Sequence, residues 1–234
     1  MSYRRLTERI HTGWIIAWVT IYAAILILGN FLPNSQLTTF VRLTGILLCF
    51  LYVVIKFPHD YFLLLAMGAT CVADLILAGN NISPLGVAIF VSTQVFHLLH
   101  LLSLRQSPTK RYVFIYIAIA ICLLVLDIVF DIMPRLYLVC GLYVILLITN
   151  LIISFHYHKT EPENPTAWFA FFGFLLFAGC DMCTGISYFS LIGLFPASFY
   201  NLANFIVWFF YYPSQILLSN TGDYDIMTAK EGKN

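Results

Sequence analysis

Apolar runs broken at near-regular intervals by short polar connections dominate the chain. Eight of them are of about spanning length, at residues 13–32, 38–56, 60–79, 84–104, 111–130, 135–155, 166–188 and 198–219. Each lies near the ~20 residues that a helix needs to cross a hydrocarbon core of about 30 Å. The pattern predicts an all-α, polytopic membrane bundle of eight transmembrane helices. The longest polar connection, His158 to Pro165, is too short to hold a soluble domain, so residues 1–234 read as a single integral membrane domain. The first run follows Arg4, Arg5 and Arg9 and looks like a secretion signal. It is too long for one and has no small-residue cleavage site before Pro33, so it reads as a retained span.

Composition agrees with this class. Of 234 residues 61% are hydrophobic and 10% charged, against a usual charged share of about 25%, and mean hydropathy is +0.88. The net charge of +1 gives no sign of a nucleic-acid partner; the placement of the charges says more. Arg4, Arg5 and Arg9 at the amino end, Lys56, Arg105, Lys110, Arg111 and Lys159 in the even connections, and Lys230 and Lys233 in the tail make up ten of the twelve basic residues. The positive-inside rule therefore puts both termini in the cytoplasm, as an even number of spans demands. Short loops favour a prokaryotic cell membrane. All six cysteines fall in apolar runs, which argues against a disulfide framework; Cys180 and Cys183 read as small buried filler.

The halves of the chain echo one another weakly. Spans three and seven each carry a small residue before an aspartate, Ala73-Asp74 and Cys180-Asp181, with a glycine shortly after, Gly79 and Gly185. Spans four and eight each carry a mid-helix glutamine, Gln94 and Gln215. Such an echo suits two parallel four-helix repeats with a site between them.

Asp74 and Asp181 are the candidate chemical groups. An ionisable residue at the centre of a spanning helix costs roughly 2.5–3.5 kcal/mol even on the insertion scale, so it needs a partner, a wet cavity or a retained proton. Asp74 lies five residues, about 7 Å, before the outer end of span three, and Asp181 seven residues, about 10 Å, before Tyr188. Arg42, Asp127, Asn201 and Asn204 fall in the same outer third. Together they predict a polar pocket open to the outer leaflet, with the third and seventh helices side by side. Plainer readings stand beside each residue. Arg42 can snorkel to the interface, Asp127 and Asp131 can be solvated, and the amides can join helices. His97 and His100, three apart, lack an evident third metal ligand and read as structural. For the two aspartates the plain reading is satisfaction by a neighbouring helix.

A family resemblance enters on several motifs. Ala73-Asp74 followed by Gly86, Phe90 and Gln94 resembles spans three and four of the YhhN-type lysoplasmalogenase family, whose pattern is a small residue and Asp, then Gly-x3-Phe-x3-His. Gly173 to Phe189 is similar to its Gly-x2-Leu-Phe-x2-Ser-Asp motif, and Tyr211 to Gln215 to its closing Tyr-x3-Gln. The resemblance implies cleavage of the vinyl ether bond of a lysoplasmalogen to a fatty aldehyde and a glycerophospho-ethanolamine or -choline. By position it implies Asp74 and Asp181 as catalytic residues, with Arg42, Gln94, Asn201, Asn204, Tyr211 and Gln215 around the lysophospholipid. Gln94 stands where many members have His, and Cys180 replaces the Ser beside the second aspartate.

The implied chemistry suits those residues. Protonating the alkene carbon remote from the ether oxygen makes an oxocarbenium ion, water adds, and the hemiacetal collapses. Two carboxylates close together in low dielectric cannot both ionise, so one acts as acid while the other steadies the cation or activates water. Arg42 would hold the phosphate. Such chemistry calls for no cofactor and no metal. The rival reading is a lipid or small-molecule carrier, since parallel halves and intramembrane carboxylates also suit alternating access. A zinc hydrolase built on His97 and His100 is a second alternative. Oligomeric state is not legible in the sequence.

Overall fold

The computed structural model describes residues 3–32, 35–79, 84–104, 135–196 and 198–222. Within them lie seven helices: α1 (Tyr3–Phe31), α2 (Gln36–Lys56), α3 (Tyr61–Gly79), α4 (Pro84–Leu104), α5 (Arg135–Thr160), α6 (Pro165–Leu191) and α7 (Ser198–Ser219). No strand occurs among the described residues. Seven of the eight expected spans thus coincide with helices. The fifth, 111–130, lies outside the described residues, as do Asp127 and Asp131.

α1 to α6 each contain a stretch long and apolar enough to cross a membrane, so the chain is a multi-pass membrane protein. α7 is long enough, at 22 residues, but is not among those six. Asn201, Asn204, Tyr211, Tyr212 and Gln215 dilute its apolar character, and this is the helix that crosses the polar centre of the bundle.

Local chemistry explains where the helices begin and end. Ser35 caps α2, its hydroxyl accepting from the Thr38 amide at 3.1 Å. Asp60 caps α3 by accepting from the Leu63 amide at 3.1 Å. Asn164 caps α6 ahead of Pro165, whose missing N–H would be unpaired at a helix start in any case. α6 stops at a Schellman-type turn, with Gly193 at φ +82° and the Leu194 amide donating to the Phe189 carbonyl at 2.9 Å. Within α7, Pro213 cannot donate to the Phe209 carbonyl four residues back. Tyr22 of α1 supplies the replacement, its hydroxyl donating to that carbonyl at 3.0 Å.

The helices pack in chain order round a ring. Each of α1 to α6 lies against the next, and α7, packed most extensively on α6, closes the circuit against α1 and α2. α1 is the most peripheral, with Ile16, Val19 and Ile27 turned outward as a lipid-facing surface must be. Facing pairs give relative directions. Phe90 meets Tyr143, and Gln94 meets Asn150, so α4 and α5 run parallel. That is the relation the eight-span reading requires of its fourth and sixth spans.

Glycines let the seams close. A Cβ on Gly173 would stand 2.8 Å from the Leu218 side chain and 3.3 Å from its amide nitrogen. One on Gly45 would stand 2.6 Å from the Tyr212 ring. Small residues at such points permit close helix approach where no hydrophobic drive between helices exists.

The ring order corrects one expectation. The third and seventh predicted spans, α3 and α6, do not form an extensive interface; α4 and α5 separate them on one side and α2 and α7 on the other. The hydrogen bonds to their aspartates come from side chains of other helices.

Candidate functional site

Four helices around the ring carry the acidic centre, two supplying aspartates and two supplying tyrosines. Tyr211 of α7 donates its hydroxyl to Asp74 Oδ2 of α3 at 2.7 Å. Tyr143 of α5 donates to Asp181 Oδ2 of α6 at 2.5 Å. No hydrogen bond joins the two carboxylates directly among the described residues. Instead the two tyrosines and Cys180 lie within electrostatic reach of one another, and Cys180 interacts with both aspartates. Each carboxylate is therefore paired with a phenol, Asp74 with Tyr211 and Asp181 with Tyr143.

Aromatic packing holds these phenols in place. The Tyr211 ring meets Trp208 edge-on, with centroids 5.4 Å apart, and tilts over Phe177 of α6 at 5.7 Å. Tyr143 meets Phe90 of α4 at 6.1 Å, and Phe90 in turn meets Phe177 at 6.4 Å. The carboxylates thus sit in a polar layer bounded by interlocked rings, each accepting a hydrogen bond that offsets part of its desolvation.

A buried amide pair extends the layer. Asn150 of α5 donates through Nδ2 to both the backbone carbonyl of Gln94, at 2.9 Å, and its side-chain Oε1, at 2.8 Å. Both residues are fully buried, and the Gln94 amide lies beside the Tyr143 hydroxyl. Four buried polar atoms on neighbouring turns have no hydrogen-bond partner: Gln94 Nε2, Asn150 Oδ1, His97 Nε2 and Gln215 Oε1. Gln215 stands one turn beyond Tyr211, its own amide donating to Ser214 Oγ at 3.4 Å. Buried unpaired groups of this kind cost about 1–3 kcal/mol each unless water or a ligand meets them.

Arg42 takes a distinct place. Its guanidinium lies over the Trp208 ring, 4.5 Å from the centroid, close to where a Cβ on Gly29 of α1 would stand. Its buried Nε has no partner. Trp208 therefore links the cation on one face to Tyr211 and Asp74 on another. Asn204 is half-buried one turn before Trp208; the side chain of Asn201 is outside the described residues.

α6 continues to Leu191, three residues past the expected end of the span, so Asp181 stands ten residues, about 15 Å, from the helix end, while Asp74 stands five residues from the end of α3 at Gly79. Tyr211 lies thirteen residues into α7.

The two histidines part company. His97 packs edge-on against Phe174 at 5.4 Å. His100 bonds through Nδ1 to Asp60 Oδ1 at 3.1 Å and through Nε2 to the Thr221 hydroxyl at 3.0 Å and its carbonyl at 3.1 Å. That network pins the end of α7 to the α2–α3 connection, helped by Tyr52 donating to Asn220 Oδ1 at 2.9 Å. No group of three or more metal-ligating side chains occurs among the described residues.

Tyr143 is the residue that sequence reasoning missed. A tyrosine inside an apolar run looks like packing, yet Asn150 falls seven residues on and so on the same helix face. A phenol and an amide on one face of a spanning segment are the signal that could have found it.

Neither curated proteins nor solved structures gave a match. A family model did, that of the YhhN family, over residues 37–221, from the first turn of α2 to the Thr221 that seals the end of α7. Every described member of the acidic centre lies within that stretch, and the chain belongs to the YhhN family.

Proposed function

We propose that the protein is a membrane-embedded hydrolase that cleaves the vinyl ether bond of lysoplasmalogens, releasing a fatty aldehyde and a glycerophospho-ethanolamine or -choline. The observation that carries this reading is the pair of half-buried aspartates, each held by a tyrosine hydroxyl, on a chain of the YhhN family. Vinyl ether hydrolysis needs a proton delivered to carbon and an anion near the resulting cation. Two carboxyl groups differing in protonation supply both. The lysophospholipid would enter from the bilayer and lay its hydrocarbon chain along the apolar helix faces. Its phosphate would take the donors of Arg42 that the Trp208 ring leaves free. Charge placement supports a cell-membrane location with both termini in the cytoplasm.

A lipid carrier remains the rival. Asp74, five residues from the end of α3, stands away from the middle of its span, where transporter sites lie, and turnover separates the two readings. Detergent-purified protein given a lysoplasmalogen and, separately, the lysolipid with a saturated ether bond should release aldehyde from the first alone. Uptake of both into proteoliposomes without aldehyde from either would support the carrier.

A further inference from the structure

Arg42 is a cation six residues into α2, and no carboxylate pairs with it among the described residues. A charge at that depth in a spanning helix is costly unless an anion or water meets it. An aromatic ring holds this one in place. The guanidinium carbon stands 4.5 Å from the Trp208 ring centroid, and Gly29 of α1 leaves it room on another side, where a Cβ would stand 3.4 Å from Nη2. Stacking occupies the guanidinium face and leaves the in-plane N–H donors for an anion.

The same indole supports the acidic centre. Tyr211 meets Trp208 edge-on, with centroids 5.4 Å apart and ring planes at 86°, and donates to Asp74 at 2.7 Å. Trp208 and Tyr211 lie three residues apart on one face of α7. A free arginine side chain samples many rotamers, whereas one stacked on a ring of a packed helix is held at a set distance from whatever that helix also carries.

The order of the two contacts across the bundle matches that of a lipid. Beyond the far end of α7, Thr221 meets His100, which meets Asp60 at the start of α3. α7 therefore begins at the end of the bundle where α3 stops. Trp208 stands about 4.5 Å nearer that end than Tyr211. A lysophospholipid presents its phosphate outermost, then its glycerol and ether oxygen, then its hydrocarbon chain.

Resting on the proposed hydrolysis, we infer that Trp208 is a positioning residue that fixes the Arg42 guanidinium relative to the Tyr211–Asp74 pair, so that substrates are selected by the separation of phosphate and vinyl ether. The class it favours has the three carbons of glycerol between the two groups. A longer spacer forces a choice between phosphate on Arg42 and the vinyl ether on Asp74. Trp208 itself touches no reacting atom.

The test compares kcat/KM of full-length protein in mixed micelles for two alkenyl ether phosphodiesters, one with the glycerol spacer and one lengthened by two methylene groups. Wild type should prefer the first by about tenfold or more, and Trp208→Leu should bring the two to within about twofold of each other. Trp208→Phe, which keeps an aromatic face for the cation, should retain most of the preference. Arg42→Gln should lose it, with no further loss when combined with Trp208→Leu. Weakened support for Tyr211 slows both substrates alike, so the ratio separates positioning from packing. An unchanged ratio in a folded Trp208→Leu protein would overturn the proposal, as would a wild type with no preference. Absence of aldehyde from every vinyl ether would count against the hydrolysis instead. Competition binding of the saturated-ether counterparts then decides the spacing by itself, with the same preference expected in wild type and its loss in Trp208→Leu.

Discussion

Tyr211 and Asp74 meet at 2.7 Å although α7 and α3, which carry them, share no extensive interface. The bond spans the centre of the ring, so it belongs to the site more than to the packing around it. Tyr211→Phe removes one donor and leaves a buried carboxyl group with less support, at a cost of about 1–3 kcal/mol. If that cost falls on the transition state, kcat for aldehyde release drops by about tenfold to a hundredfold. Steady-state kinetics should show the loss in kcat with KM little changed.

Tyr143→Phe should be the more damaging of the two tyrosine changes. It removes the shorter bond, 2.5 Å to Asp181 against 2.7 Å for Tyr211 to Asp74, and short bonds to a carboxylate are the stronger ones. Side-by-side kcat values check this, and equal losses in the two variants would count against it.

Arg42 offers a test of headgroup recognition. Charge-assisted contacts to phosphate contribute about 1.5–3 kcal/mol, so Arg42→Gln should raise KM for a lysoplasmalogen by about tenfold or more. The same substitution should leave turnover of a vinyl ether glycerol lacking phosphate unaltered. Equal effects on both substrates would assign Arg42 to packing on Trp208 alone.

At the seam of α6 and α7, Gly173→Ala would set a methyl group 2.8 Å from the Leu218 side chain and 3.3 Å from its backbone nitrogen. Overpacking of this sort costs about 1–3 kcal/mol. Gly141→Ala and Gly185→Ala, which meet nothing within 4 Å, serve as neutral comparisons. Unfolding in mixed micelles measures all three.

Tyr22→Phe should destabilise the bundle without touching the acidic centre. It strips the Phe209 carbonyl, already without its helical donor because of Pro213, of the hydroxyl that serves it. A loss of about 0.6–2 kcal/mol is expected for an interhelical bond in a membrane protein, again read by mixed-micelle unfolding.

Much of this was legible in the chain. Helix positions followed from hydrocarbon thickness, which sets a length that apolar runs must meet, so 84–104 and 198–219 coincide with α4 and α7. Asp74 and Asp181 stood out because charge is costly in such runs. Ring order was not legible: periodicity places residues on faces but does not say which helices become neighbours, and α3 and α6 were wrongly set side by side. Tyr143 was hidden for the same reason, its acceptor lying 38 residues away on another helix. The end of α6 lies three residues beyond Tyr188 because its stop is set by Gly193.

The most direct test of the central claim is fatty aldehyde release from a lysoplasmalogen by the purified wild-type protein, beside Asp74→Asn and Asp181→Asn proteins shown to be folded. Release by the wild type, with loss of at least about a hundredfold in each variant, roughly 2.7 kcal/mol or more of transition-state stabilisation, is the predicted result. Undiminished release by either variant would contradict a two-carboxylate mechanism.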